Sequence, residues 1–233
     1  MIGAISNGRG FQPLAGGAPG ALAGAPAPYA PVFAQDSVPS FRATPDRVFL
    51  FHGVDVRGFR DHGRGALEDL AGRLRGAGFP EAAALHYNSD NWWLNQLAVL
   101  RERLFGTFSK RLTAQILADL QARPLQPGQR ISLAGYSLGS LVAARVAANL
   151  AQAGVPVGTL VLIEPKNGGA PSAVSSLPPG AAKVVLIENQ ADLRIDNPYA
   201  QPFVFQHVPG KTHYDMVENP DEQMIQTIVS QLR

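Results

Sequence analysis

The 233-residue chain contains no cysteine. This absence excludes disulfide bonds, thiolate catalysis and cysteine-ligated zinc. The chain also lacks any apolar run of the roughly 20 residues that a transmembrane helix needs. Residues 1–11 have neither the basic patch nor the apolar segment of a secretory signal. We therefore expect a protein that is cytoplasmic or exported without a cleaved signal peptide.

An excess of charge of one sign is missing as well. Lys and Arg number 20 against 18 Asp and Glu, and the basic residues are scattered among the acids without a basic run. Proteins that bind nucleic acid concentrate their basic residues, so we expect no nucleic-acid partner. The length suits one sizeable domain with a single core.

Residues 1–40 differ in composition from the rest of the chain. Of these 40 residues, 22 are Gly, Ala or Pro, and Arg9 and Asp36 are the only charged ones. Such a segment buries too little apolar surface to offset the entropy lost on ordering. It is predicted to be a disordered tail, followed by one domain over residues 41–233. The tail is a simple extension or, alternatively, an export leader, since it resembles the leaders of bacterial effectors that specialised secretion systems inject.

From residue 41 onward, short apolar runs alternate with amphipathic stretches, the pattern of parallel strands joined by crossover helices. The sequence thus predicts an α/β fold with a mostly parallel sheet of about six strands flanked by helices. The predicted strands are Val48–Phe51, Ala83–His86, Ile131–Ala134, Leu160–Ile163, Val184–Ile187 and Phe203–Val208.

Leucine and isoleucine spacing predicts the helices between these strands. One helix presents Leu67, Leu70 and Leu74 on a single face, and one long or two short helices precede Pro124. The last helix is predicted to begin at Asn219, with Pro220 in its first turn. The connection from Glu164 to Lys183 is short, and so is the one from Asp192 to Phe203. They leave little room for a lid, so we expect a shallow or open site.

The segment Gly135-Tyr136-Ser137-Leu138-Gly139 lies between a predicted strand and a predicted helix. A nucleophile elbow has this strand–turn–helix setting, and its strained turn needs tiny residues two before and two after the serine. Gly135 and Gly139 meet that need. Ser137 is therefore the predicted nucleophile.

A serine hydroxyl needs an adjacent base, which is usually a histidine oriented by a carboxylate. Of the histidines, His213 follows the last strand and precedes the final helix, so we predict it to be the base. His207 lies within a strand and is predicted to be packed or hydrogen-bonded. His62 is interpreted as a surface or loop residue.

The orienting acid has two main candidates. Asp192 follows the fifth predicted strand, and Glu164 ends the fourth. Both positions suit a carboxylate that contacts His213, and either residue could instead be a solvated loop acid. Asp196 is a weaker third choice because Asp-Asn-Pro is typical of turns.

The oxyanion of the reaction also needs hydrogen-bond donors. The backbone N–H of Leu138 is one candidate, and the N–H of Val54 or Gly53, in the turn after the first strand, is the other. His52 and His86, which end two strands near the same rim, are predicted to line the substrate pocket with Tyr136 and Trp92. No metal or organic cofactor is expected.

With the elbow, the His-Gly turn, the late acid and the late histidine in this order, the chain from about Val48 to Leu232 resembles the α/β-hydrolase superfamily. The elbow, the segment up to Glu164 and the stretch Val208-Pro209-Gly210…His213-Tyr214 are similar to thioesterase domains of polyketide and nonribosomal peptide synthetases. In that family the acid ends the strand after the elbow helix, where this chain has Glu164. The family has Asp at that position and a long lid, and these departures favour Asp192.

The resemblance implies a compact serine hydrolase, with a minimal lid or none, that acts on an ester or thioester of a small-molecule or lipid acyl group. One alternative is a lipase or phospholipase effector exported by a specialised secretion system. The other is a binding protein that keeps the fold without turnover, since fold alone does not confer activity.

Overall fold

The computed structural model describes residues 45–53, 62–87, 100–165, 177–189, 198, 201–211, 215–218 and 222–233. The predicted tail, residues 1–40, lies outside these ranges, so its disorder stays a prediction. The middle of the short connection after Glu164, residues 166–176, lies outside them too.

Six strands form one sheet in the order β2-β1-β3-β4-β5-β6, and every neighbouring pair is parallel. This confirms the predicted α/β class and strand number. The strands are β1 Arg47–Phe51, β2 Ala83–Leu85, β3 Ile131–Tyr136, β4 Val157–Ile163, β5 Ala181–Glu188 and β6 Phe203–His207.

Helices cover both faces of the sheet. Their bounds are α1 His62–Gly76, α2 Thr107–Ala122, α3 Leu138–Gln152, α4 Asp215–Glu218 and α5 Glu222–Leu232. Residues 100–105 are also helical, and Gly106, with a φ of 61°, separates them from α2. Two helical segments thus precede Pro124. His62, interpreted from the sequence as a surface or loop residue, is the first residue of α1.

The central strands are almost continuously apolar because both of their faces are buried. Alternate side chains point to opposite faces. Leu133, Leu160 and Leu186 pack with residues of α2 and α3, whereas Val161, Val185 and residues of α1 and α5 form a second cluster. The fold therefore has three layers, with one apolar core on each side of the sheet.

Parallel pairing places the carboxyl ends of all six strands at one edge of the sheet. His52 follows β1, Ser137 follows β3 and Glu164 follows β4, so the order β1-β3-β4 makes them neighbours at that edge. Open α/β sheets bind ligands at this edge. No helix among the described residues is long and apolar enough to span a membrane.

Candidate active site

Ser137 occupies a sharp turn between β3 and α3. Its φ of 54° and ψ of −121° fall outside the regions that L residues normally adopt. The Ser137 N–H donates to the carbonyl oxygen of Ile163 at 3.0 Å, which ties the turn to the end of β4. A non-glycine residue held in such a conformation by its surroundings is typical of a functional site, and the strand–turn–helix context is that of a nucleophile elbow.

Positions 135 and 139 of the elbow must be glycine because a side chain at either position would collide with the backbone. A Cβ atom on Gly135 would lie 2.1 Å from the carbonyl oxygen of Gly139, and one on Gly139 would lie 2.1 Å from that of Phe51. Backbone atoms cannot yield as a flexible side chain can. The elbow therefore tolerates no side chain at either position, as the sequence predicted.

Replacing Gly139 with Ala should accordingly prevent stable folding or lower the free energy of unfolding by more than about 3 kcal/mol, beyond the usual cost of overpacking. Gly76→Ala is the matched control, because a Cβ atom there meets nothing within 4 Å. Chemical denaturation of the two variants measures the difference. A Gly139→Ala protein as stable as the Gly76→Ala protein would show that this contact is not tight.

Two backbone segments flank Ser137. Leu138 is the first residue of α3, so its N–H is among those that a helix leaves without an internal partner. On the other side, a Cβ atom on Gly53 would lie only 2.9 Å from the Cβ of Ser137 and 3.2 Å from the ring of Tyr136. The backbone after β1 thus approaches the elbow as closely as a glycine allows, and its role as an oxyanion hole stays a prediction. Val54 lies outside the described residues.

His52 fixes the peptide that follows it. Its Nδ1 lies 2.8 Å from the carbonyl oxygen of Gly53, and its Nε2 lies 3.4 Å from the backbone N of Tyr87. A carbonyl oxygen only accepts, so Nδ1 carries the proton and Nε2 accepts from Tyr87. The buried His52 ring is therefore oriented by a contact at each of its two nitrogens.

Tyr87 also contacts His52 through its hydroxyl group and its ring. Its hydroxyl donates to the carbonyl oxygen of His52, and its ring stacks on the imidazole with centroids 4.5 Å apart. Burial, with a smaller contribution from Glu102, raises the pKa of Tyr87 well above its ordinary value. The phenol therefore stays a donor. Tyr87 was not predicted from the sequence, because a single tyrosine after a short strand carries no signal of its own.

The other residues predicted to line the substrate pocket differ in their exposure and contacts. Tyr136 is 7% exposed and lies beside Gly53. His86 is exposed and its Nε2 lies 2.9 Å from a carboxylate oxygen of Glu68 on α1. Its ring centroid is 5.5 Å from that of His52. Trp92 lies outside the described residues.

Glu164 is fully buried at the end of β4. Its φ of 44° makes it, with Ser137, one of two non-glycine residues with positive φ among those described. Its carboxylate accepts the backbone N–H of Asn189 at 2.5 Å. Glu164, at the end of the strand next to the elbow, is thus fixed by its unusual backbone conformation and by the hydrogen bond that its carboxylate accepts.

A second buried acid at this edge of the sheet was not predicted from the sequence. Glu188 is the last residue of β5 and is also fully buried. Because Ile163 pairs with Ile187, Glu164 and Glu188 occupy neighbouring positions at the ends of adjacent strands. The signal was an acid that directly ends an apolar strand, the same signal that identified Glu164.

His213, Asp192 and Asp196 lie outside the described residues, so their roles stay predictions. The described residues before His213 are nevertheless anchored: the Asn189 side chain donates to the carbonyl oxygen of Lys211 at 3.0 Å. His207 is in β6, as predicted, with its Nε2 3.1 Å from the carbonyl oxygen of Asn189. No group of three or more metal-ligating side chains occurs among the described residues.

Comparisons with known proteins find similarity to thioesterases, both in sequence and in fold. Residues 98–184 match the family model of the Thioesterase domain, a segment that contains the elbow and Glu164 and ends before Asp192 and His213. No curated protein matches the sequence significantly.

Solved structures extend the likeness to most of the chain. RedJ, a thioesterase from the prodiginine biosynthetic pathway of Streptomyces coelicolor, is 15% identical with a TM-score of 0.50, over 81% of this chain and 91% of that one. A second RedJ structure, with a polyethylene glycol molecule in its active site, is 16% identical with a TM-score of 0.52, over 82% and 94%. With the parallel sheet and the turn at Ser137, these matches show that the chain has the α/β-hydrolase fold, and residues 98–184 resemble the Thioesterase domain.

Proposed function

We propose that the protein is a serine hydrolase that cleaves an acyl thioester or carboxylic ester through an acyl-Ser137 intermediate. The observation that carries the proposal is the strained turn at Ser137, with the α3 N-terminus on one side and Gly53 on the other. A turn of this kind presents the serine hydroxyl at the edge of the sheet, near backbone N–H groups that can donate to the oxygen of the carbonyl group under attack.

In the proposed reaction, the Ser137 hydroxyl attacks the acyl carbonyl carbon and gives its proton to His213. The oxyanion accepts hydrogen bonds from Leu138 and from the Gly53–Val54 turn. When the tetrahedral intermediate collapses, the bond to the thiol or alcohol breaks and His213 protonates this leaving group. Water then attacks the acyl-enzyme with His213 as base, which releases the carboxylic acid and restores Ser137.

We further propose that Glu164 orients His213. Two observations support Glu164: its full burial beside the elbow, and the chain of hydrogen bonds from its carboxylate to the Asn189 N–H and from the Asn189 side chain to Lys211, two residues before His213. Asp192, which the sequence favoured, is the rival. The Thioesterase domain match, which contains Glu164, supports an acyl thioester as the substrate class.

A fluorophosphonate probe followed by a substrate panel tests the function. We expect one covalent adduct, on Ser137, and turnover of acyl-coenzyme A or of nitrophenyl esters. Ester turnover without thioester turnover would favour an esterase, and turnover of phospholipid vesicles would favour the lipase alternative. Folded protein that forms no adduct and turns over no substrate would contradict the proposal and favour a binding protein.

Tyr87→Phe should lower kcat about fivefold and leave KM nearly unchanged, because it removes one hydrogen bond, worth about 1 kcal/mol, that holds the oxyanion turn through His52. Thr113→Val is the matched control, since it deletes a buried hydroxyl bonded to the Ser109 carbonyl oxygen at 2.7 Å on α2. Steady-state kinetics on a nitrophenyl ester distinguish the two. Equal kcat losses in both variants would mean that Tyr87 acts only on stability.

A further inference from the structure

A group of exposed apolar and basic side chains lies where the helical residues 100–105 meet the start of α2. Leu100, Leu104 and Phe105 are exposed by 53%, 63% and 64%. They are three of the five large hydrophobic side chains that are exposed among the described residues. We call the following exposed side chains the 100–111 patch: Leu100, Arg101, Arg103, Leu104, Phe105, Lys110 and Arg111.

The charge of the 100–111 patch has one sign. The sole acidic residue between positions 100 and 118 is Glu102. Its carboxylate is fully buried, where it accepts the Phe108 N–H at 2.7 Å and pairs with Arg145 at 3.3 Å. It therefore contributes no surface charge to the patch, whose four exposed side-chain charges are all positive in a chain with a net charge of only +2.

The patch adjoins Phe108, which is connected to the candidate active site by ring contacts. Phe108, in the first turn of α2, packs against Tyr87 with ring centroids 5.1 Å apart, and Tyr87 stacks on His52. Beside the patch, an open hollow of about 260 Å³ is lined by Leu104, Phe105, Lys110 and Arg145, among others. A chain of ring contacts thus connects the start of α2, beside the patch, with His52 at the candidate active site.

We propose that the 100–111 patch docks the protein on an anionic lipid bilayer. Leu and Phe side chains on a helix, next to Arg and Lys, are the composition of segments that lie in a membrane interface. The aliphatic parts of the arginines cover apolar surface while their guanidinium groups reach lipid phosphates. Charge complementarity selects an anionic surface, and three protruding apolar side chains are suited to insert among acyl chains.

Vesicle co-sedimentation of the full-length protein tests the proposal. The protein should bind vesicles of phosphatidylcholine with phosphatidylglycerol, should leave vesicles of phosphatidylcholine alone largely unbound, and should be released by high salt, which screens surface charge. All measurements use the Ser137→Ala protein as background, so the outcome does not depend on turnover. Failure of the proposed hydrolase function would therefore leave this test unaffected.

Two double variants and two matched controls locate the surface. R101Q/R103Q should weaken vesicle binding about 25-fold, or about fivefold for each cation removed, and L104S/F105S should weaken it by at least about tenfold. R73Q/R123Q removes two exposed cations elsewhere, and F203S/F205S removes two half-exposed phenylalanines from β6. These controls should bind as the parent does.

Three outcomes would overturn the proposal: no preference for anionic vesicles, equal loss in the controls and the patch variants, or no vesicle binding at all. Polyglutamate is tested in parallel as an acidic polypeptide. Binding to polyglutamate that L104S/F105S leaves intact, with no vesicle binding, would also overturn it and indicate an acidic protein partner.

Discussion

Ser137→Ala is expected to abolish labelling by a fluorophosphonate and to lower turnover by several orders of magnitude while the protein stays folded. The variant removes the hydroxyl that would form the acyl-enzyme, whereas Gly135 and Gly139 still shape the turn. In subtilisin, loss of the nucleophilic serine costs on the order of a millionfold in kcat. Mass spectrometry of the labelled protein and ester hydrolysis measure the two effects.

Ser140→Ala is the matched control for this prediction. Ser140 is a buried serine of the same elbow, and its hydroxyl donates to the carbonyl oxygen of Gly135 at 2.7 Å. Its loss should lower stability by about 1 kcal/mol and leave the labelling site unchanged. Normal turnover by folded Ser137→Ala protein would refute the assignment of the nucleophile.

Glu164→Gln is expected to have the next largest effect, a fall in kcat on the order of ten-thousandfold. A carboxylate that accepts from the histidine holds the productive tautomer and stabilises the imidazolium. The corresponding amide replacement in the trypsin-type triad costs about that much. The substitution keeps the size of the side chain and an oxygen that can accept the Asn189 N–H, so folding should persist. Circular dichroism checks folding, and pre-steady-state acylation measures the chemical step.

Two further amide variants test which acidic residue orients His213. Asp192→Asn tests the choice that the sequence favoured, and Glu188→Gln changes the buried acid at the neighbouring strand end. Both should cost much less than Glu164→Gln. A larger loss in Asp192→Asn would move the acid to Asp192, and a larger loss in Glu188→Gln would assign it to β5. Three mild variants would indicate Asp196 or a dyad without a strong acid.

The sheet could be predicted because each strand carries its own signal. Runs such as Leu160–Ile163 and Val184–Ile187 are apolar throughout, which a parallel strand buried on both faces requires. The elbow could be predicted for a similar reason, since the need for tiny residues at 135 and 139 is local. Both features depend on residues close together in the chain.

The rest depends on contacts between distant segments. Leu100 and Leu104 have the spacing of a buried helical face, yet both are exposed in the structure. The scattered basic residues did not predict a positively charged surface patch. The patch arises because Glu102, which lies among these basic residues in the sequence, is buried through its contacts with Phe108 and Arg145. The position of Tyr87 against His52 likewise joins residues 35 apart in sequence.

The order of the strands also bears on how the chain can be synthesised. β1 pairs with the three-residue β2 on one side and with β3 along its whole length on the other. A buried hydrogen bond at the base of that pair joins Asp46 to Ser132, 86 residues later. Contacts this far apart make parallel sheets slow to form.

A nascent chain that stops before residue 131 therefore holds an apolar strand, Arg47–Phe51, without its principal neighbour. Such a strand is a site for aggregation until β3 leaves the ribosome. The pairing that covers this side of β1 along its whole length thus becomes possible only once residues 131–135 have been synthesised.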